Sequence, residues 1–336
     1  MSWLSRPKDT NRPKLGLIYR IMRIFSRSLI SVWFRELDVV DNENIPQEGG
    51  IMYVAWHPSG LIDPLLLHAS LPGRLSILAK HTLFKIPLLG RLLKAGGGLP
   101  IYRASDSDSL QVAKKRNQEM LENVGKKISN GGKLLLFPEG KTHTDSEVKK
   151  AKTGAARIML IALRSAEENN KIAPNIIPVG LHYSNSKKFR ERGAVILERP
   201  MKLPNLPLIV ENNNEQERID RKWVSQVTEF IEAELKRASH SKTSWEERRL
   251  IWQGRSVVYA ERAIKKGKKI RRLSFAESVL GARRMRAGWE YFAANDPEKI
   301  ENILIKSKNH FEELDNMGIT PFDVAAKPEK PGKRGI

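Results

Sequence analysis

The chain of 336 residues contains no cysteine. That excludes disulfides, thiolate metal centres and a cysteine nucleophile, and it fits a reducing compartment. Also missing is any run of the ~18 uncharged apolar residues that a membrane-spanning helix requires. The basic N-terminus lacks a short apolar core followed by small residues, so no signal peptide is read there. No internal repeat is evident. Acidic residues are the minority: 38 Asp and Glu stand against 59 Lys and Arg, a formal net charge of +21. Such an excess requires anionic partners, whether phosphate-bearing ligands, an anionic lipid surface or nucleic acid.

What is present is an alternation. Short apolar runs at 34–40, 51–55, 75–79, 99–103, 133–137, 175–181 and 194–197 read as strands, and between several of them lie helical stretches at 63–70, 81–94, 109–130 and 155–169. This predicts an α/β domain over 34–210 with a mixed or mostly parallel sheet flanked by helices. Ahead of it, residues 1–33 form an arm and a basic amphipathic helix. Arg20, Arg23, Arg27 and Ser31 fall on one face; Ile18, Met22, Phe25, Leu29 and Val32 fall on the other. Such a helix either packs on its own domain or lies in a membrane interface with its arginines toward the headgroups. Residues 211–326 read as a helical C-terminal region that includes a densely basic stretch, Lys265 to Arg272, and residues 327–336 as a disordered tail.

The most chemical stretch follows the run Ile51–Ala55: Trp56-His57-Pro58-Ser59-Gly60-Leu61-Ile62-Asp63-Pro64. A histidine titrates near neutrality, and a carboxylate can hold its ring. On an unbroken helix, side chains six residues apart point roughly 240° apart, so His57 and Asp63 meet only across a turn. Pro58 and Gly60 provide one. The plainer reading makes Asp63 a helix N-cap and Pro64 the first helical residue. Two further turns carry chemistry after strands, at Arg103 and at Pro138-Glu139-Gly140-Lys141-Thr142-His143. Ligands gather outside the carboxyl ends of strands in open α/β sheets, so these three turns are expected to converge. His81, His143 and His182 read as structural or surface residues, and no metal-ligand spacing stands out.

Four ordered blocks resemble the phospholipid and glycerol acyltransferase family. They are His57-Pro58-Ser59-Gly60-Leu61-Ile62-Asp63, Gly98-Leu99-Pro100-Ile101-Tyr102-Arg103, Phe137-Pro138-Glu139-Gly140 and Ile177-Pro178-Val179-Gly180. Together they cover roughly residues 50–200. The commonest form of the first motif has one residue fewer than the five present here between His and Asp. This chain resembles a branch with the longer His-Pro form followed by Asp-Pro. The third block usually continues Thr-Arg-Ser, whereas here it continues Lys141-Thr142-His143. Lysine supplies the charge without arginine's bidentate fork.

The resemblance implies transfer of a fatty acyl group from a thioester to a hydroxyl in phospholipid biosynthesis. His57 would be general base and Asp63 its orienting partner. Arg103, Glu139, Gly140, Lys141 and Thr142 would bind the phosphate-bearing acceptor, which stays open among glycerol-3-phosphate, dihydroxyacetone phosphate, lysophosphatidate and other lysophospholipids. The donor is acyl-CoA or acyl carrier protein, acting as co-substrate, with no resident cofactor. Leu83, Phe84, Ile86, Leu88 and Leu89 are candidates for an acyl-chain groove as much as for ordinary core. The expected location is the cytoplasmic side of a membrane, peripheral or monotopic, with an anionic membrane surface as partner. Two rivals come from other classes. A nucleic-acid-binding protein would explain the charge, but no zinc-finger spacing or RNP-type strand supports it, and no nucleic-acid partner is expected. A serine esterase would want a Gly-x-Ser-x-Gly elbow, which is missing.

Overall fold

A computed structural model describes residues 16–102, 110–143, 145–185, 188–240 and 245–319. The chain divides into two compact units, residues 1–241 and 242–336. The first is built on seven strands: β1 (Phe34–Val40), β2 (Ile51–Ala55), β3 (Leu75–Lys80), β4 (Gly98–Ile101), β5 (Lys133–Leu136), β6 (Asn175–Tyr183) and β7 (Glu191–Leu197). Their order in the single sheet is β1-β7-β6-β2-β5-β3-β4. All pairings are parallel except β6 with β7, so the sheet is mixed but mostly parallel, as the alternation predicted.

Strand β2 is central. All five of its residues are fully buried, because β5 and β6 flank it and helices cover both faces. A strand buried on both sides reads as a continuous apolar run rather than an alternating one. The carboxyl ends of β2, β5, β3, β4 and β6 share one edge of the sheet. Strand β6 runs on past Val179, the partner of Ala55, to Tyr183. Four extra residues carry it about 13 Å beyond the end of β2.

The helices of this unit are α1 (Leu17–Trp33), α2 (Ile62–Ser70), α3 (Pro87–Ala95), α4 (Leu110–Ser129), α5 (Gly154–Glu168) and α6 (Asn213–Ala238). Helix α6 lies beyond residue 210, where the character of the sequence changes, yet it packs on the α/β layer. Trp223, Val227, Ile231 and Leu235, at four-residue spacing, bury one stripe against the sheet and α5. A paired fork from Arg164 of α5 to Asp220 of α6, with two contacts of 2.6 Å, reinforces that seam. The packing boundary therefore falls near 241, not 210.

Helix α1 is amphipathic as expected, but its faces are reversed relative to the headgroup-facing arrangement. Arg23 and Arg27 turn inward. Their guanidiniums donate to the C-terminal carbonyls of α2 and the following turn: Arg23 to Leu71 O and to Gly73 O at 3.0 Å, Arg27 to Ala69 O at 3.2 Å. Cations at a helix C-terminus answer its unpaired carbonyls and its dipole. Leu17, Ile18, Ile21, Ile24, Phe25, Leu29 and Val32 are consequently exposed, Ile18 by 64%. Among the described residues no helix is long and apolar enough to cross a membrane.

The second unit contains α7 (Trp245–Lys265), α8 (Phe275–Asn295) and α9 (Pro297–Met317). Ser274 and Glu277 form a capping box at the start of α8, and Trp252 of α7 stacks on Phe275 with ring centroids 5.7 Å apart. The expected tail, 327–336, lies outside the described residues.

Candidate active site

The site is assembled at the carboxyl edge of the sheet from the turns after β2 and β5 and the end of β6. After Ala55 the chain leaves the sheet through Trp56, whose indole N–H donates to Leu181 O at 2.9 Å and pins the exit. Pro58-Ser59-Gly60 then turns the chain, with Gly60 at φ +56°. Helix α2 begins at Ile62. The N-cap position belongs to Leu61 and makes no side-chain capping bond, so Asp63 is not the cap the sequence suggested. Its carboxylate turns back over the loop instead.

Asp63 is fully buried and receives three donors. Oδ2 accepts the His57 ring Nδ1 at 2.8 Å and the Ser59 backbone N–H at 2.7 Å; Oδ1 accepts the Tyr183 hydroxyl at 2.7 Å. A carboxylate so placed only accepts, which puts the His57 proton on Nδ1 and leaves Nε2 a free lone pair on the far side of the ring. The ring also stacks on Phe137, with centroids 4.1 Å apart and planes 15° apart. Its side chain remains 18% exposed. Burial, followed by the negative charge of Asp63 beside it, pushes the Tyr183 phenol well above its usual range, so it stays a donor.

Glu139 is the second buried carboxylate. Oε1 accepts the backbone N–H of His57 at 3.1 Å; Oε2 accepts the backbone N–H of Lys149 at 2.7 Å and meets the His143 ring Nε2. The His143 backbone N–H in turn donates to His57 O at 3.3 Å. The His57 peptide is thus held at both its N–H and its carbonyl by the loop after β5. That loop contains Gly140, at φ +69°, and the exposed Lys141 and Thr142. A Cβ at Gly140 would meet the Lys152 ammonium at 2.9 Å, so a second exposed cation lies directly over this turn. Asp145 is held below the usual carboxylate range, first by its hydrogen bond to Lys149 and also by the charges of His143 and Lys141.

The structure therefore brings His57, Asp63 and Glu139 together, with Gly140, Lys141 and Thr142 in the adjoining loop. Arg103 lies outside the described residues. His81 stacks on Tyr102 and His182 packs against His240, with centroids 4.8 and 4.6 Å apart. Sequence reasoning missed Tyr183, His143 and Lys152 as parts of the site. The only signal for Tyr183 was the apolar continuation Leu181-His182-Tyr183 beyond the fourth block, which lengthens β6. Of the groove candidates, Ile86 and Leu88 are exposed near the start of α3.

Residues 36–182 match the family model described as Acyltransferase. This segment is similar to the acyltransferase family. It runs from within β1 into β6 and contains His57, Asp63, Glu139 and His143, while Tyr183 lies one residue beyond it. The chain is 25% identical over 159 residues, 47% of its length, to the 1-acyl-sn-glycerol-3-phosphate acyltransferase of Borreliella burgdorferi. It is 26% identical over 208 residues, 62% of its length, to the Glycerol-3-phosphate O-acyltransferase 2 of Saccharomyces cerevisiae. It spans 56% of the first relative and 26% of the second. The solved structure of the 1-acyl-sn-glycerophosphate acyltransferase of Thermotoga maritima aligns with a TM-score of 0.41 and 19% identity, covering 64% of this chain and 80% of that one.

Proposed function

We propose that this acyltransferase moves a fatty acyl group from an acyl thioester to a hydroxyl of glycerol-3-phosphate or of a lysophospholipid such as lysophosphatidate, as a step of phospholipid biosynthesis. One observation carries the reading. A histidine whose Nδ1 proton is committed to a buried, thrice-donated carboxylate presents its other nitrogen at the open edge of the sheet. His57 Nε2 removes the acceptor hydroxyl proton as the oxygen attacks the thioester carbonyl. Asp63 keeps the ring in the productive tautomer and stabilises the imidazolium. Collapse of the tetrahedral intermediate expels the thiolate, which recovers the proton from His57. The acceptor's own hydroxyl is the nucleophile, so no acyl-enzyme forms. Lys141 and Lys152, exposed in and over the adjoining loop, are the cations offered to the acceptor phosphate, with Thr142 and the Gly140 backbone beside them; Arg103 is assigned there on its motif alone. Glu139 is reassigned. Both of its oxygens are occupied inside the protein, so it supports His57 rather than the acceptor.

The outward apolar face of α1 supports a peripheral seat on an anionic membrane, with that face immersed in the acyl-chain boundary and the net positive charge of the chain drawing it to the surface. The parent names of both relatives point to acyl transfer onto glycerol phosphates. The test is release of free CoA from acyl-CoA, measured separately with glycerol-3-phosphate, dihydroxyacetone phosphate, lysophosphatidate and other lysophospholipids. We expect acceptor-dependent release that falls about 10²–10⁴-fold in His57→Ala. Full activity in that variant would sink the mechanism. Acceptor-independent hydrolysis would favour an esterase, and tight salt-sensitive DNA binding without acyl transfer a nucleic-acid-binding protein.

A further inference from the structure

We infer that Tyr183 is a positioning residue of the active site, holding the Asp63 carboxylate in the rotamer that lets it orient His57. The inference rests on the acyltransferase reading above and names a residue outside the four motif blocks.

The argument starts from the carboxylate. Asp63 sits in the first turn of α2, where an unrestrained side chain would turn toward the backbone N–H groups of its own helix. It turns toward His57 instead, and something must hold it. Oδ2 already serves two donors from the 57–59 loop, the same loop whose ring it must align. Those bonds tie Asp63 to the loop but not to the fold. Tyr183 is the bond from outside. It approaches Oδ1 from β6, 120 residues away in sequence, on a strand paired on one side with β2 and on the other with β7. Its ring is fixed in turn by parallel stacking on Phe34 of β1, with centroids 5.7 Å and planes 11° apart. The phenol is thus anchored in the sheet and reaches the carboxylate over a single hydrogen bond. It carries no second role in the chemistry, because Asp63 stands between it and the ring. A charge-assisted O–H···O⁻ bond is among the stronger kinds, and a buried carboxylate oxygen left without its donor is costly.

The titratable groups around the pair are Tyr183 from β6, Glu139 and His143 from the loop after β5, and the pair itself. Removing the phenol O–H leaves the other four, Glu139, His143, His57 and Asp63, in place. A carboxylate deprived of one donor takes up a proton more readily and also grips an imidazolium more strongly. Both effects move the acid limb of the pH–rate profile to higher pH.

The experiment uses the full chain with Tyr183→Phe, which keeps the ring and its stack and deletes only the hydroxyl. The readouts are kcat and acceptor KM across pH, thermal melting, and the low-field Nδ1–H proton resonance of His57, identified by its loss in His57→Ala. We expect kcat to fall about 10- to 100-fold with acceptor KM within about two-fold of wild type. The acid limb should move up and the His57 resonance should shift. Phe34→Leu loosens the stack that fixes the ring but keeps the hydroxyl, so its acid limb and resonance should move in the same direction as in Tyr183→Phe and by less. The inference is overturned if Tyr183→Phe keeps wild-type kcat, pH limb and resonance, or if its loss of activity only matches a loss of folded protein. Failure of the acyltransferase reading looks different, since wild type would then be inactive with every acceptor while the His57 resonance still reported the bond from Tyr183.

Discussion

Glu139→Gln separates two roles for the same residue, since by motif it belongs to the acceptor site and by geometry to His57. The glutamate is 2% exposed and uses both oxygens: one for the His57 N–H at 3.1 Å, the other for the Lys149 N–H at 2.7 Å and the His143 ring. Glutamine is nearly isosteric but has a single oxygen. Whichever way the amide turns, its NH₂ faces a backbone donor. If it faces His57, the peptide loses a bond to a charged acceptor worth ~1.5–3 kcal/mol and is left with an unpaired buried N–H. His57 is then held only by its carbonyl, its ring stack and Asp63. If one such bond is lost from the transition state, kcat falls by roughly 10- to 150-fold, at one decade per 1.4 kcal/mol. Because Glu139 is buried and both of its oxygens already accept bonds from the protein, acceptor KM should stay within about two-fold. The assay is initial rate against acceptor concentration at saturating acyl-CoA, with the melting temperature recorded alongside. The opposite split, an unchanged kcat with a KM raised by the same factor, would refute the reasoning and return Glu139 to the acceptor.

Two further predictions concern helix α1 and its seat. Ile18→Glu combined with Phe25→Glu places charges where two exposed apolar side chains, 64% and 50% open, now stand. Each such side chain is worth about 1.5–3 kcal/mol when buried, so partition onto vesicles containing anionic lipid should fall at least ~100-fold, read by co-sedimentation. Unchanged sedimentation would show that α1 is not the immersed face. Beneath α1, His68 bonds to Ser26 at 2.9 Å, and burial, helped by Arg23 and Arg27, lowers it to about 4 from 6.5. Its folded value lies below its unfolded value, so between these limits the unfolded chain binds a proton that the folded one does not. Stability is therefore full above about pH 6.5 and declines by ~3 kcal/mol as pH falls toward 4. Urea titrations at pH 7, 5.5 and 4.5 should show that slope flattened in His68→Gln; an equal slope in both proteins would assign it elsewhere.

Much of the fold was legible, for a definite reason. Parallel strands covered on both faces read as plain apolar runs, and β2, β5 and β6 are such strands. β7 was read short because its start, Glu191-Arg192-Gly193, is polar and takes its place by pairing with β1. The His57–Asp63 pair was legible from the turn residues between them, and the capping role was not realised because His57, Ser59 and Tyr183 together outcompete the helix for that carboxylate. The facing of α1 was not legible. Periodicity shows two faces but cannot say which one is buried, and here the deciding partners are carbonyls at the end of α2, which no side-chain pattern encodes. Tyr183 was hidden for a similar reason, since its partner lies on another element and only the length of β6 brings them together.

These placements divide the site into an inner and an outer layer. The inner layer is made of groups whose polar atoms are satisfied by one another: Asp63 by His57, Ser59 and Tyr183, and Glu139 by His57, Lys149 and His143. It holds His57 at its backbone N–H, its carbonyl and its ring Nδ1 and leaves the side chain 18% exposed. The outer layer, Lys141, Thr142 and Lys152 around the left-handed Gly140, is exposed. On the reading proposed above, the inner layer carries the chemistry and the outer one the choice of acceptor, and the two share the backbone of one loop. Changes in the inner layer should appear in kcat, and changes in the outer one in acceptor KM. The departure Lys141-Thr142-His143 from the family's usual Thr-Arg-Ser then has two parts. The histidine belongs to the inner layer, where it completes the hold on Glu139, and the lysine to the outer, where it replaces a planar fork by a point charge. A compact charge favours a phosphate without dictating its orientation, so acceptors that differ in what lies beyond the phosphate are the ones on which a Lys141→Arg variant should differ from this chain.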